Sequence, residues 1–299
     1  FIGHNDLQDV IEQKFKEIDE VRQEYPDIVR LFKNSSFPPR MLNGISVALD
    51  DFGDVPLIIR SSSLLEDRLG TAFSGKYKSL FLANQGTKAE KLAAIADAVA
   101  EVYASTFGPD PIEYRRERGL LEFNEEMGIL IQEVVGKKVG RYFIPAFAGV
   151  AFSNSEFRWS PRIRREDGMV RVVPGLGTRA VDRVGDDYPI LLVPGKPKLR
   201  ANVAVDEIIR YSPRWIDVIN LESGTLETKE LAELMREIGS DYPAVEKVFS
   251  VLKGDMLQKA PSRMLLDPEK DELVATFDGL TEQTGFMDQM RSILKLLES

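Results

Sequence analysis

The chain has 299 residues, with 39 Lys and Arg against 48 Asp and Glu, which gives a formal net charge of −9 at pH 7. Bulk charge therefore does not draw it to nucleic acid or anionic membranes, and any anion site must be local. There is no cysteine and one histidine, His4. These counts exclude disulfides, thiol nucleophiles, iron–sulfur clusters and multi-histidine metal sites, and they fit a reducing cytoplasm.

The N-terminal part of the sequence predicts helices around a short strand. From Asp6 to Glu24, apolar residues recur every three or four positions, which predicts an amphipathic helix that ends at Pro26. Residues 54–60 (DVPLIIR) are a β-branched apolar run typical of a buried strand, and the polar segment 61–75 after it is predicted as a loop.

Two further helices and a sheet follow. Thr87 and Glu90 have the spacing of a capping box at the start of a long helix. Asp110-Pro111 predicts the start of another, with proline at the first helical position. Short β-type runs then occur at 127–135, 148–153, 169–173 and 190–193.

Beyond Asp206 the pattern returns to helices, including 228–239, with one strand at 273–277 before a final helix. No regular βαβ alternation is present, so we predict an α+β fold. The predicted parts are an N-terminal helical segment, a first lobe with the strand, loop and helices, a sheet-rich second lobe and a C-terminal helical region, at 1–54, 55–125, 126–200 and 201–299.

The most informative segment for chemistry is the strand that leads through Arg60 into a loop rich in serine and glycine. A polyphosphate site needs a planar cation, hydroxyl donors and backbone N–H groups that glycine leaves accessible. The loop supplies these with Gly70, Thr71, Ser74 and Gly75, although it lacks the P-loop pattern. The alternative is an ordinary surface loop in which Arg60 pairs with nearby carboxylates.

Segment 158–183 has seven arginines against three acidic residues, a local balance of 7 − 3 = +4 in a negative chain. Such a reversal suits a polyanionic ligand, but a solvated strand face is the simpler interpretation for most of these arginines. The segment also contains Gly175-Leu176-Gly177-Thr178, a glycine turn that is common by itself.

The strand around Gln132, Glu133 and Val134 can present backbone N–H and C=O groups to an adenine edge while apolar neighbours enclose the ring. A plain core strand is the alternative. Asp186 and Asp187 are adjacent and point apart in a strand, so they make a poor metal-binding pair.

Four segments in this order resemble the nucleotide-binding domain of the phosphoenolpyruvate (PEP) synthase and pyruvate phosphate dikinase family. The resemblance is close over about 55–190 and weaker in the C-terminal third, toward the PEP-synthase-like branch. The segments are IIRSSSLLEDRLGTAFSGKYKSLF (58–81), ILIQEVVG (129–136), AGVAFS (148–153) and VPGLGTRAVD (173–182).

The resemblance implies an ATP-grasp fold with two lobes around ATP and Mg²⁺. It also implies transfer of the β-phosphoryl group to a histidine on a separate domain, then to pyruvate or a related acceptor, with release of AMP. Arg60 would hold the triphosphate and stabilise the transferring charge. The phosphate-covering loop would be formed by Gly70, Thr71, Ser74 and Gly75, and the adenine hinge by Gln132, Glu133 and Val134. ATP and the PEP/pyruvate and phosphohistidine domains are the implied partners.

Other family features are absent. The sequence has no "GGKG" segment, no "DIEF…LLQ.RP" strand for Mg²⁺ and no "GG.TSH" phosphohistidine motif, and Thr178-Arg179 stands where many members have an acidic residue. We therefore expect a fragment that is incomplete at both ends and inactive alone, with metal ligands outside the chain. A non-catalytic nucleotide-sensing module and the ATP-binding domain of a glycan water dikinase are the alternative functions.

Overall fold

A computed structural model describes residues 1–63, 65, 75–122, 126–181, 187–260 and 271–297. The chain is 41% helix and 24% strand, which confirms the predicted α+β class. It divides into two compact units, Phe1–Val134 with Ser223–Thr225, and Val135–Glu222 with Leu226–Ser299. No helix in the described ranges has both the length and the apolar character needed to cross a membrane.

The first unit contains one small sheet and four α-helices, preceded by a 3-10 helix at Gln8–Phe15. Strands β1 and β2 form an antiparallel hairpin, and β3 pairs antiparallel with the other side of β1, giving the order β2-β1-β3. The elements are α1 (Ile18–Lys33), α2 (Pro39–Phe52), β1 (Leu57–Ser63), β2 (Ser79–Leu82), α3 (Lys88–Ser105), α4 (Pro109–Glu117) and β3 (Met127–Glu133).

The prediction that one helix runs from Asp6 to Glu24 and ends at Pro26 is wrong. The chain leaves helical geometry at Lys16, where ψ is 160°, and α1 then continues through Pro26. Proline inside a helix costs about 3 kcal/mol. The helix buries Val21 and Phe32 completely on its opposite stripe, and this burial offsets the cost.

The strand predicted at 54–60 is confirmed but shifted toward the C-terminus. Ser61, Ser62 and Ser63, which the sequence assigned to a loop, continue β1 because they pair in register with Ile129, Gly128 and Met127 of β3. Hydrogen bonding to a neighbouring strand here overrides the low strand propensity of serine.

The predicted capping box is confirmed at the start of α3. The Thr87 N–H donates to Glu90 Oε2 at 2.7 Å, and the Glu90 N–H donates to Thr87 Oγ1 at 3.3 Å. Helix α4 begins slightly earlier than predicted, with Pro109 at its first position and Gly108 as its N-cap.

The second unit holds the other strands, β4 to β13, around a separate hydrophobic core. Its three sheets have the orders β10-β9-β5-β4, β6-β7-β8 and β12-β11-β13. The strands are β4 (Lys137–Val139), β5 (Tyr142–Ile144), β6 (Phe147–Phe152), β7 (Met169–Pro174), β8 (Ile190–Leu192), β9 (Trp215–Asn220), β10 (Thr225–Glu230), β11 (Phe249–Lys253), β12 (Met256–Lys259) and β13 (Glu272–Ala275).

The helices of the second unit are mostly short. They are α5 (Thr178–Val181), α6 (Val205–Arg210), α7 (Leu231–Ile238), α8 (Val245–Val248), α9 (Asp278–Gln283) and α10 (Phe286–Leu296).

The predicted strands at 148–153, 169–173, 190–193 and 273–277 are confirmed as β6, β7, β8 and β13 within one or two residues. The helical prediction beyond Asp206 missed β9 to β12, and the helix predicted from Thr228 begins only at Leu231. Thr228 lies in β10, where its hydroxyl donates to Asp217 Oδ1 of β9 at 2.6 Å. Hydrogen bonding between neighbouring strands determines the local structure there, and the periodicity of apolar residues in the sequence does not reveal it.

Candidate functional site

The two faces of the β2-β1-β3 sheet differ in character. On one face, Leu57 and Ile59 of β1 are fully buried in the core that includes Ile95 and Val99 of α3. Because side chains alternate along a strand, Arg60 and Ser62 belong to the opposite face, and both are exposed. The helix-covered face stabilises the unit, and the opposite face is accessible and carries Arg60 and Ser62 beside apolar residues such as Leu130.

Arg60 lies in the middle of β1 rather than at its end. The prediction that it terminates the strand is wrong because β1 continues for three residues, through Ser63. Arg60 stands opposite Ser79 of β2 and Leu130 of β3. Within the ranges that the structure describes, its guanidinium makes no ion pair and no hydrogen bond, so it is a cation on a rigid sheet without an internal partner.

Gln132 shares the exposed face with Arg60. It stands opposite Ile58, two residues along β1 from Arg60, and its side chain is exposed. Diagonal neighbours across such a strand pair are roughly 7–8 Å apart, a distance that long side chains span. The register therefore brings a cation and an amide, both predicted as site residues, onto one surface.

The predicted hinge residues use their backbone groups in two directions. The Val134 N–H donates to the Pro56 carbonyl at 2.8 Å, so that amide is already engaged. In an antiparallel ladder the hydrogen-bonded pairs alternate, so Gln132 also bonds inward, to Ile58. Glu133 then has its N–H and C=O turned away from β1, toward the outer side of the edge strand β3.

Pro56, directly before β1, is a partner of the hinge that the sequence analysis missed. Its carbonyl fixes the Val134 amide, whereas its ring nitrogen has no hydrogen to donate. The signal was present in the sequence, since proline at the entrance of a strand is one of the few positions that a sheet tolerates.

The predicted phosphate loop is the connection between β1 and β2. Gly70, Thr71 and Ser74 lie outside the described residues. Gly75 is described and has φ of +80°, a conformation that favours glycine. The loop belongs to the same hairpin as Arg60, since it joins the two strands that pair at Arg60 and Ser79.

A small hydrophobic cluster anchors both ends of this loop. Leu65, just after β1, is fully buried, and Tyr77, just before β2, is 5% exposed. Both pack with Tyr114 of α4. The anchors hold the ends of the loop on the folded unit, as a phosphate-covering loop requires.

Charged contacts reinforce the second anchor. Lys78 Nζ lies 2.7 Å from Glu101 Oε1, and Lys33 Nζ lies 2.6 Å from Glu101 Oε2. Burial raises the pKa of Glu101, but the hydrogen bonds from the two lysines outweigh burial and lower it below its ordinary value. Glu101 is thus held ionised between two cations.

The glycine turn at 175–178 in the second unit is packed tightly against β9. Gly175 has φ of +70°, and a Cβ there would lie 2.5 Å from Ile216 Cγ1. Its N–H donates to Tyr242 Oη at 3.0 Å, and that hydroxyl donates to the Ala146 carbonyl at 2.6 Å. Burial raises the pKa of Tyr242 far above its ordinary value, which keeps the hydroxyl protonated as a donor.

The guanidinium of Arg179, directly after this turn, is paired with carboxylates inside the second unit. Its Nε lies 2.9 Å from Asp187 Oδ2, its Nη1 lies 3.6 Å from Asp217 Oδ1, and all three side chains are nearly buried. Thr178 Oγ1 also donates to Asp217 Oδ2. Thr178 and Arg179 therefore tie the turn to β9.

Two further arginines of segment 158–183 have partners among the described residues. Arg165 pairs with Glu156 at 2.9 Å on the surface, and the Arg171 guanidinium carbon lies 5.3 Å from the centre of the Phe152 ring. Arg183 lies outside the described residues. The described arginines of this segment therefore differ in role: Arg165 forms a surface ion pair, Arg171 contacts an aromatic ring and Arg179 forms a buried ion pair.

The described residues offer no evident place for a divalent cation. Within them, no three His, Cys, Asp or Glu side chains come together in a group that could hold a metal ion. Asp187 is occupied by Arg179 and by the Arg214 N–H, which donates to it at 2.7 Å. Asp186 lies outside the described residues.

The sequence also matches a known protein family. Residues 1–252 match the model for the AMP/ATP-binding domain of pyruvate phosphate dikinase. The match includes the N-terminal helices and most of the second unit, so it is longer than the motif-bearing stretch at 55–190. It confirms the suspected family and its ATP-grasp-like nucleotide-binding fold, with AMP or ATP as ligand. The chain therefore belongs to the family of pyruvate phosphate dikinase AMP/ATP-binding domains.

Proposed function

We propose that this chain is the ATP-binding part of a PEP-synthase-like dikinase. In the whole protein, a histidine on a separate domain attacks the β-phosphorus of ATP and takes the β- and γ-phosphoryl groups as AMP leaves. The γ-phosphoryl group then passes to water as inorganic phosphate, and the β-phosphoryl group passes to pyruvate or a related acceptor. The observation that carries the proposal is Arg60, an exposed guanidinium on a rigid sheet with no internal partner among the described residues.

The adenine ring binds at the outer edge of β3. Glu133 supplies the backbone groups, because its N–H and C=O are the ones in the predicted hinge that turn away from β1. Val134 contributes its buried side chain, since its amide already donates to Pro56. Gln132 projects from the same sheet face as Arg60 and hydrogen-bonds the nucleotide from there.

The triphosphate binds beside Arg60 under the loop between β1 and β2. A guanidinium binds two phosphoryl oxygens at once and stabilises charge that develops on them during transfer. Gly70, Thr71, Ser74 and Gly75 supply backbone N–H groups and hydroxyls from the loop. Leu65 and Tyr77 pack the two ends of that loop onto the folded unit.

Mg²⁺ neutralises part of the triphosphate charge when it is bound. The described residues do not form a carboxylate group for it. The metal ligands therefore lie outside the described residues. A protein with this chemistry belongs in the cytoplasm, where its substrate ATP is found.

The test uses the full-length protein and ATP labelled at the β-phosphorus. We expect label on histidine and a matching amount of AMP. Arg60→Gln should reduce both at least a hundredfold. Arg40→Gln is the matched control, because Arg40 is an exposed arginine of α2 in the same unit.

Two results would count against the proposal. Unchanged AMP formation in Arg60→Gln would reject the role of that side chain. ATP binding without any transfer of label would reject the phosphotransferase assignment and favour a nucleotide-sensing module, whereas label on a glycan would identify a glycan dikinase.

A further inference from the structure

The second unit contains a cavity of about 610 Å³, and none of its described lining residues is among those proposed for the nucleotide site. Its lining residues all belong to the second unit, and none comes from β1 or β3. The volume lies within the roughly 300–1,000 Å³ of small-molecule sites. The walls come from β7, α5, β8, α6 and the segments at 157–159, 187–189, 200–202 and 276–278.

Aromatic side chains line this cavity and remain partly uncovered. Phe157 is 57% exposed and Tyr188 is 42% exposed, although both lie on a concave surface. The rings of Tyr188 and Tyr211 meet edge to face with centroids 5.4 Å apart, and the ring centroids of Phe157 and Trp159 are 6.1 Å apart. Uncovered aromatic surface in a concavity favours a ligand with a flat apolar body.

The charges around the cavity leave one cation without a carboxylate. Asp278 pairs with Arg200 at 2.7 Å, and Asp187 pairs with Arg179 at 2.9 Å. Arg171 projects from the middle of β7 and, among the described residues, has the Phe152 ring rather than an acidic side chain as its partner. The two arginines and two aspartates of the described lining balance in charge, but Arg171 is the lining arginine whose guanidinium is not paired with a carboxylate, so it is available to an anionic group.

The walls are held in place by hydrogen bonds. Trp159 Nε1 donates to the Arg200 carbonyl at 3.2 Å, and Arg200 Nη2 donates to Thr281 Oγ1 at 2.8 Å. Asp187 accepts from the Arg214 N–H. A wall fixed in this way loses little entropy when a ligand binds.

We propose that this cavity is a binding site for a small planar anion, with an aromatic body and a single anionic group. The anionic group binds Arg171, and the flat body lies against Tyr188, Tyr211 and Trp159. The site shares no lining residue with the proposed ATP site, so it is a second ligand site of this chain.

The test compares two fluorescent probes that differ in charge. The probes are the aromatic sulfonate 1-anilinonaphthalene-8-sulfonate (ANS) and its neutral relative N-phenyl-1-naphthylamine. Binding of each is followed by energy transfer from tryptophan, since Trp159 lines the cavity. Arg171→Gln should weaken ANS binding about tenfold and leave the neutral probe unchanged.

Two further variants separate the site from general surface effects. Arg162→Gln removes an exposed arginine of the same segment that does not line the cavity, and it should leave both affinities unchanged. Tyr188→Ala should weaken both probes, because it removes part of the apolar wall. A thermal melt of each variant verifies that it is folded.

Equal loss of ANS affinity in Arg171→Gln and Arg162→Gln would overturn the proposal, because it would show non-specific attraction. So would full displacement of ANS by saturating ATP, which would assign the cavity to the nucleotide. Failure of ATP to bind the chain would count against the proposed function and leave the probe comparison unaffected.

Discussion

Arg60 and Arg179 are both arginines in motif segments of one family, and the chain uses their guanidinium groups in opposite ways. Arg60 is exposed on a sheet face, without an ion pair among the described residues. Arg179 is buried between Asp187 and Asp217. Motif membership therefore does not reveal whether an arginine binds a ligand or stabilises the fold. Burial and pairing distinguish the two roles.

The largest expected effect on stability is at Arg179. Arg179→Gln leaves the Asp187 and Asp217 carboxylates buried without their cation, which should reduce the free energy of unfolding by about 3 to 5 kcal/mol. Tryptophan fluorescence in urea measures this directly, because both tryptophans, Trp159 and Trp215, belong to the second unit.

Arg165→Gln is the matched control for this experiment. It removes an arginine paired with Glu156 on the surface, where an ion pair contributes about 1 kcal/mol or less. If the two variants lost the same stability, the structural role assigned to Arg179 would be wrong.

The next largest expected loss of stability is at the glycine turn 175–178. Gly175→Ala places a methyl group against Ile216 at a positive φ, and we expect it to cost about 2 to 4 kcal/mol. Gly254→Ala tests the backbone alone, since Gly254 has φ of +60° and open space around it. That control should cost about 1 to 2 kcal/mol. Equal losses in urea unfolding would mean that the contact with Ile216 is unimportant.

The loop anchor in the first unit gives a smaller, pH-dependent effect. The lowered pKa of Glu101 means that its pairing with Lys33 and Lys78 is fully present above the ordinary carboxyl pKa of 4.5. The stabilisation is lost as the pH falls through the lower pKa of the folded state. Glu101→Gln should cost about 1 kcal/mol at pH 7, since both lysines are partly exposed and screened by solvent.

Thermal melts by circular dichroism at pH 3 and pH 7 measure this difference. The gap between the wild-type chain and Glu101→Gln should narrow at the lower pH. A gap that stays constant would show that the carboxylate charge of Glu101 is not what stabilises the anchor.

The sequence predicted well what depends on local composition. The β-branched runs at 127–135 and 169–173 and the capping box of Thr87 and Glu90 all formed. It failed where a partner strand decides, as in β10 and at the three serines that end β1. The prediction that a helix ends at Pro26 failed for a related reason, because burial of Val21 and Phe32 keeps α1 continuous.

The same distinction applies to the candidate site. The four motifs identified the family, and the alternation along β1 places Arg60 on the exposed face. Strand pairing was needed to find that Gln132 shares that face, because it sets the register between β1 and β3. It was also needed to find that the Val134 N–H already donates to Pro56. Nor could composition separate Arg179 from Arg60, since both look like phosphate-binding arginines in the sequence.

We expect Arg60→Gln to change stability least of these variants, although it should weaken ATP binding. Arg60 makes no ion pair or hydrogen bond within the described part of the chain, so Arg60→Gln should alter the free energy of unfolding by less than about 0.5 kcal/mol. The Arg60 guanidinium is therefore available to bind a ligand. Arg40→Gln removes the same charge from an exposed helix position and controls for net charge.

Calorimetric titration of this chain with ATP tests the central claim most directly. We expect Arg60→Gln to bind ATP at least tenfold more weakly than the wild-type chain, with an unchanged melting temperature, and Arg40→Gln to bind like the wild type. Equal ATP affinity in Arg60→Gln and the wild-type chain would contradict the assignment of Arg60 to the nucleotide.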